Sequence, residues 1–186
     1  MRNVFLIVVI VFLISCRADE KRQEHTAFYD DVEKKAAEKR HQLMMQNNVG
    51  HPANDFVFVT PAGTKKVLYR VDAKYLLVLF YNPECEACKE MKNMLIASPV
   101  INKKLSSGEL RILAVYIDKD ETVWRKHLPE MPAEWIHGRD ADEYLYKNNI
   151  YDLRAIPTIY LLDENKKVLL KDCVSIIEIE RRIIGE

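Results

Sequence analysis

The pattern of apolar and polar positions divides the chain into three stretches of unlike character. Val4 to Ile14 is an unbroken apolar run of eleven residues. Arg17 to Pro52 is rich in Glu, Lys, Asp, Arg and Gln and has little to bury. Within it, Tyr29 to Arg40 combines strong helix formers with Glu–Lys pairs at helical spacing, and Asn47 to Pro52 supplies stop signals. Beyond that point short apolar runs alternate with turn residues. Phe56–Val59 reads as a strand, Pro61–Thr64 as a turn and Val67–Val71 as the returning strand of a hairpin. Tyr75–Tyr81 is continuously apolar and of strand length, as in a sheet covered on both faces. Asn82-Pro83 breaks it. A helix is predicted from about Cys85 to Ala97, with Met91, Met94 and Leu95 facing inward, and Pro99 kinks or ends it.

The second half is patterned less evenly. Ser106–Gly108 is a turn, and Leu110–Ile117 reads as another buried strand. In 118–150, Pro129 and Pro132 divide the segment, Trp124 and Trp135 give it something to bury, and Ala141–Asn148 reads as helical. Pro157 precedes a strand at Thr158–Leu162, a turn covers 163–166, Val168–Leu170 is a partner strand, and an amphipathic helix at Ser175–Ile184 closes the chain. The sum is a mixed α/β layout in one domain, 53–186.

The first run is too short to span a bilayer, which takes about 20 apolar residues. With Arg2 before it and Leu13-Ile14-Ser15-Cys16 at its end, it reads as a signal peptide over 1–15 whose last residues resemble the bacterial lipobox. That resemblance implies cleavage after Ser15 and lipid on Cys16. An ordinary secretory signal and an uncleaved anchor are the other readings. Each of them exports the domain, to the periplasm or another extracytoplasmic face of the cell envelope, where disulfide chemistry is active. Residues 16–52 are then a charged, partly helical spacer.

Composition narrows the chemistry. Lys+Arg and Asp+Glu both count 28, and this balance argues against a nucleic-acid partner. The four cysteines, Cys16, Cys85, Cys88 and Cys173, are too few for a disulfide scaffold. Cys85-Glu86-Ala87-Cys88 stands where a buried strand gives way to a helix. Residues three apart on a helix lie about 5–6 Å apart, the separation a disulfide needs. The first thiol sits at the helix N-terminus, where free N–H groups favour an anion, so Cys85 is expected as nucleophile. Cys88, one turn in, is expected to resolve the mixed disulfide. Half of a zinc site and an inert structural disulfide are the competing readings of the pair. Cys173 reads as a small buried apolar residue. The five histidines, His25, His41, His51, His127 and His137, are scattered and show no metal-ligand spacing.

Tyr75–Cys88 (YLLVLFYNPECEAC) together with Ala155-Ile156-Pro157-Thr158 resembles the thioredoxin superfamily and, within it, exported thiol–disulfide oxidoreductases of the TlpA/ResA type. The resemblance covers about residues 55–186. It implies a thioredoxin-like α/β fold: a central mixed β-sheet flanked by helices, an N-terminal β-hairpin, and an insertion (118–150) before the strand that follows a cis proline. Pro157 is that proline, expected to face the dithiol. The backbone of Ile156 would then be free to pair with an extended substrate. Three positions depart from the family pattern. Leu79 stands where a buried acid is common, Glu84 where an aromatic residue is usual, and no proline or glycine lies between the cysteines. Glu84 and Glu86 are candidates for substrate contact and proton handling, and their charge opposes a thiolate, which favours a reductant.

The implied function is reduction of disulfides in exported proteins. The only cofactor is the Cys85–Cys88 disulfide itself, with no metal. An upstream membrane thiol donor would recharge a monomeric, lipid-anchored enzyme. Two alternatives stand beside it. One is a peroxiredoxin-like peroxidase, against which Asn82 replaces the threonine of a T-x-x-C setting. The other is a binding module that keeps the fold to dock a membrane complex.

Overall fold

The computed structural model describes residues 28–185. The signal segment and Cys16 lie outside the described residues. The chain divides into two compact units between Gln42 and Leu43. In the first, 28–42 belongs to helix α1 (28–45), whose side chains are almost all exposed and which carries an i,i+4 pair between Asp31 and Lys35 at 2.7 Å. Among the described residues no helix is long and apolar enough to cross a membrane.

The second unit is built on a seven-stranded sheet, order β2-β1-β5-β4-β3-β6-β7. Its strands are β1 (Val57–Val59), β2 (Lys65–Val67), β3 (Tyr75–Tyr81), β4 (Leu110–Tyr116), β5 (Ile136–Arg139), β6 (Thr158–Asp163) and β7 (Val168–Lys171). The helices are α2 (Glu86–Ala97), α3 (Pro99–Ser106), α4 (Glu121–His127), α5 (Tyr144–Lys147) and α6 (Ile176–Ile184). β3 lies between β4, which runs parallel to it, and β6, which runs antiparallel, and β5 extends the parallel part. This is the mixed sheet flanked by helices that the sequence predicts. The period of two in β3 decides its packing. Leu77, Leu79 and Tyr81 meet Cys88, Met91 and Leu95 of α2, Ile101 of α3, and Ile179 and Ile183 of α6. Leu76, Val78 and Phe80 face a second core with Phe56, Tyr151 and Tyr160, where Phe80 and Tyr151 ring centres lie 4.9 Å apart.

Several local expectations are corrected. The returning strand is 65–67 rather than 67–71, because Leu68–Arg70 turns in a 3-10 helix to bury Leu68. The Asp55 carboxylate pins that turn by accepting from the N–H groups of Phe56 and Tyr69. On α2, Met94 points outward at 43% exposure, and Cys88 takes the inward place beside Met91 and Leu95. Pro99 opens a new helix, capped by Ser98, which accepts from Ile101 N–H at 3.0 Å. Segment 118–150, read as an insertion, supplies β5 to the sheet itself, pairing with β4 and, at Val59–Arg139, with β1. Gly138 permits this, since a Cβ there would stand 2.5 Å from Phe58 Cδ2. Helix in 141–148 shortens to Tyr144–Lys147, capped by the buried Asp140 accepting from Tyr144 and Leu145 N–H. Finally, residues 43–52, read as spacer, pack along β7. Gly50 N–H donates to Val168 O, Val168 N–H donates to His51 O, and Pro52 bridges Lys167. Lys171 Nζ donates to the carbonyls of Met44 (2.7 Å) and Gln46 (2.6 Å), holding this stretch against the strand.

Candidate active site

Cys85 occupies the N-cap position of α2, with extended backbone (φ −77°, ψ 122°). The chain arrives there from β3 through a turn closed by Asn82. Its side-chain oxygen accepts from Glu84 N–H at 2.8 Å, and its carbonyl accepts from Cys85 N–H at 3.1 Å. This asparagine turn forces the change from strand to helix at the dithiol. Cys85 is half-buried, whereas Cys88 is 2% exposed and packed in the helix-side core. Both thiols are free. Burial, reinforced by the neighbouring Cys85 thiol, pushes the Cys88 thiol up from 9.0 to about 12.

Across from the pair runs the chain that leads into β6. The Ile156–Pro157 peptide bond is cis. The Cys85 thiol donates to the Ile156 carbonyl, with sulfur and oxygen 3.8 Å apart. Thr158 Oγ donates to the Ala155 carbonyl at 2.6 Å and so braces this turn. Ile156 N–H has no partner among the described residues. Sequence positions 71 apart therefore meet at one sulfur.

The remaining candidates divide. Glu84 and Glu86 are both exposed, and Glu86 is occupied by Lys89, Nζ to Oε at 3.1 Å. Cys173 is buried against α6, where its thiol donates to Glu178 Oε at 3.5 Å. Trp124 and Trp135 are core residues, Trp124 stacking on Tyr116 at 6.5 Å.

One group went unseen in the sequence. A cleft of about 130 Å³ beside Cys88 is lined by Leu79, Tyr81, Lys92, His127, Glu130 and Met131. His127 and Glu130 are hydrogen-bonded at 3.0 Å, and Lys92 Nζ donates to the Glu130 carbonyl at 3.3 Å. In the sequence His127 and Glu130 stand about 40 residues beyond the cysteines, in a segment with no clear pattern, and only the fold brings them to the cleft beside Cys88.

Residues 72–168 match a family described as thioredoxin-like. Among solved structures, a thioredoxin-like protein from Bacteroides caccae ATCC 43185 is 37% identical, with a TM-score of 0.80 over 84% of this chain. The chain spans 56% of that protein's length. The C-terminal domain of an uncharacterized protein from Bacteroides fragilis NCTC 9343 is 41% identical, with a TM-score of 0.72 over 74% of this chain and 98% of that one. A thiol:disulfide interchange protein from a Bacteroides species shares the fold at 22% identity, with a TM-score of 0.62 over 74% of this chain and 89% of its own. No curated protein matches the chain.

Proposed function

The chain belongs to the thioredoxin-like family, and from that premise we propose that it is a thiol–disulfide oxidoreductase working through Cys85 and Cys88. The observation that carries this reading is the unequal burial of two neighbouring thiols. The half-buried Cys85 faces the Ile156 carbonyl, and the 2%-exposed Cys88 lies one turn behind it.

The chemistry follows from that asymmetry. Cys85, as thiolate, attacks one sulfur of a substrate disulfide. The substrate S–S bond breaks, a mixed disulfide forms, and the first substrate sulfur leaves and takes a proton. Cys88 then loses its proton and attacks the Cys85 sulfur. The mixed disulfide breaks, the second substrate thiol departs, and a Cys85–Cys88 disulfide remains. The substrate has gained two electrons and the protein has lost two. An external dithiol returns them. The unpartnered Ile156 N–H would pair with an extended substrate backbone laid beside Cys85, in the manner of strand addition.

The finer reading is an exported enzyme of the TlpA/ResA type, anchored by lipid on Cys16, reducing disulfides of exported proteins in the cell envelope and recharged by a membrane thiol donor. The sequence signals at 1–16 support it. Insulin reduction by the full chain tests the activity. Turnover is expected with wild type and not with Cys85→Ser, and an inactive wild type would overturn the reading. Mass spectrometry of the mature N-terminus tests the anchor: lipid on Cys16 is expected, and an unmodified terminus elsewhere removes it.

A further inference from the structure

Resolution of the mixed disulfide requires the buried Cys88 thiol to lose a proton, and its immediate surroundings offer little to take it. Leu79 of β3 is fully buried beside it and apolar. Tyr81 of β3 lines the same cleft, but burial holds its phenol well above the ordinary value, so it stays protonated. From α2, Lys89 is paired with Glu86 and Lys92 donates to the Glu130 carbonyl, and an ammonium has no lone pair to offer. Glu84 and Glu86 do not line the cleft. The remaining titratable side chains there are His127, the last residue of α4, and Glu130 in the 3-10 turn that follows.

The pair is arranged as a base and its holder. A carboxylate only accepts, so the contact between His127 Nδ1 and Glu130 Oε places the ring proton on Nδ1. That leaves Nε2 with a lone pair, and Nε2 makes no hydrogen bond among the described residues. The His127 side chain is 17% exposed, so the ring is largely enclosed while the carboxylate reaches solvent. In return, the imidazole holds the Glu130 carboxyl below its usual range. The cleft is large enough for water, whose share of liquid volume is about 30 Å³ per molecule.

Resting on the dithiol function above, we propose that His127 is the proton acceptor for Cys88, reached through water in this cleft, with Glu130 setting its tautomer. The Cys88 proton passes to water as that water gives one to His127 Nε2. The Cys88 thiolate attacks the Cys85 sulfur, and the substrate thiolate that leaves is neutralised by the imidazolium. His127 returns to its neutral state, so the cycle balances.

Rapid mixing of the reduced full chain with an aromatic disulfide that releases a coloured thiol separates the two steps, a fast release on capture by Cys85 and a second on resolution by Cys88. In His127→Gln the first release is expected to be unchanged and the second slowed about a hundredfold near neutral pH, the lower end of what a single general base contributes. Wild-type resolution should change little with pH on the alkaline side of neutrality, since the base is supplied by the protein. Resolution in the variant should instead keep climbing with hydroxide. Added imidazole should restore the second phase of His127→Ala, a rescue that a merely structural role would not give. A second phase with wild-type rate and pH profile in His127→Gln overturns the assignment, as does slowing by Lys92→Gln in its place. The first release would persist in those cases and leave the dithiol function standing, whereas a wild type that releases nothing overturns both.

Discussion

The sulfur of Cys85 lies 3.8 Å from the carbonyl oxygen of Ile156, contributed by a segment 71 positions further along the chain. The contact puts the accessible thiol against a strip of backbone that a substrate could share, and leaves Cys88 behind it. Cys88→Ser is therefore expected to accumulate mixed disulfides through Cys85. Cys85→Ser should trap nothing and reduce insulin only at background rate. Non-reducing gels of the two variants incubated with a disulfide-bonded substrate check this. Equal trapping by both would refute the assigned roles.

Burial of Cys88 should be visible in its reactivity. The rise from 9.0 to about 12 holds it as the unreactive thiol near neutral pH. Brief iodoacetamide treatment of the reduced protein at about pH 8 is expected to label Cys85 first. Cys88 and the buried Cys173, whose thiol burial also pushes up, should react only on unfolding. Peptide mass mapping reads the order.

The same shift sets an alkaline limit on the reduced form. The folded thiol titrates above the unfolded one, so the contribution is complete below pH 9.0 and is lost as pH rises toward about 12. Denaturant titrations should show the oxidised form, which has no Cys88 thiol to ionise, falling less steeply over this window.

Gly138 is irreplaceable for reasons of space. Its missing Cβ is where Phe58 of the neighbouring strand lies, 2.5 Å from where the new carbon would be. Gly138→Ala is expected to destabilise by about 1–3 kcal/mol, the usual range for overpacking a filled core. Phe58→Leu in the same chain should recover part of the loss, and urea unfolding measures both.

Lys171 ties residues 44–48 to β7 through the Met44 and Gln46 carbonyls and Asn48 Oδ. Lys171→Met keeps the aliphatic stem and removes the donors. A cost of about 1–3 kcal/mol is expected, with faster amide exchange confined to 43–53. Uniform acceleration across the sheet would mean that the strap is not a local element.

What the sequence discloses follows how strongly each segment is patterned. β3, β4, β6 and α2 are legible because long apolar runs and a well-placed Asn-Pro leave few alternatives, and the dithiol stands at their junction. Ile136-His137-Gly138-Arg139 is invisible as a strand. It has four residues, one of them glycine, and its conformation is decided by β4 and β1 on either side. Met94 turns outward because the buried stripe of α2 runs through Cys88, Met91 and Leu95, and an apolar count undervalues a thiol as part of that stripe. His127 carries no signal in the sequence, since its meaning comes only from the cleft it lines beside Cys88.

The closure of the sheet has a consequence for how the molecule survives concentration. At one border, Gly50 and His51 already occupy the main-chain groups of Val168. At the other, the short β2 turns Lys65 and Lys66 to solvent. Neither border presents a long flat row of vacant amides, and charged lysines repel a second copy that tries to line up there. The protein can thus leave the half-buried Cys85 thiol and an open amide at Ile156 accessible without also offering a template for polymerisation.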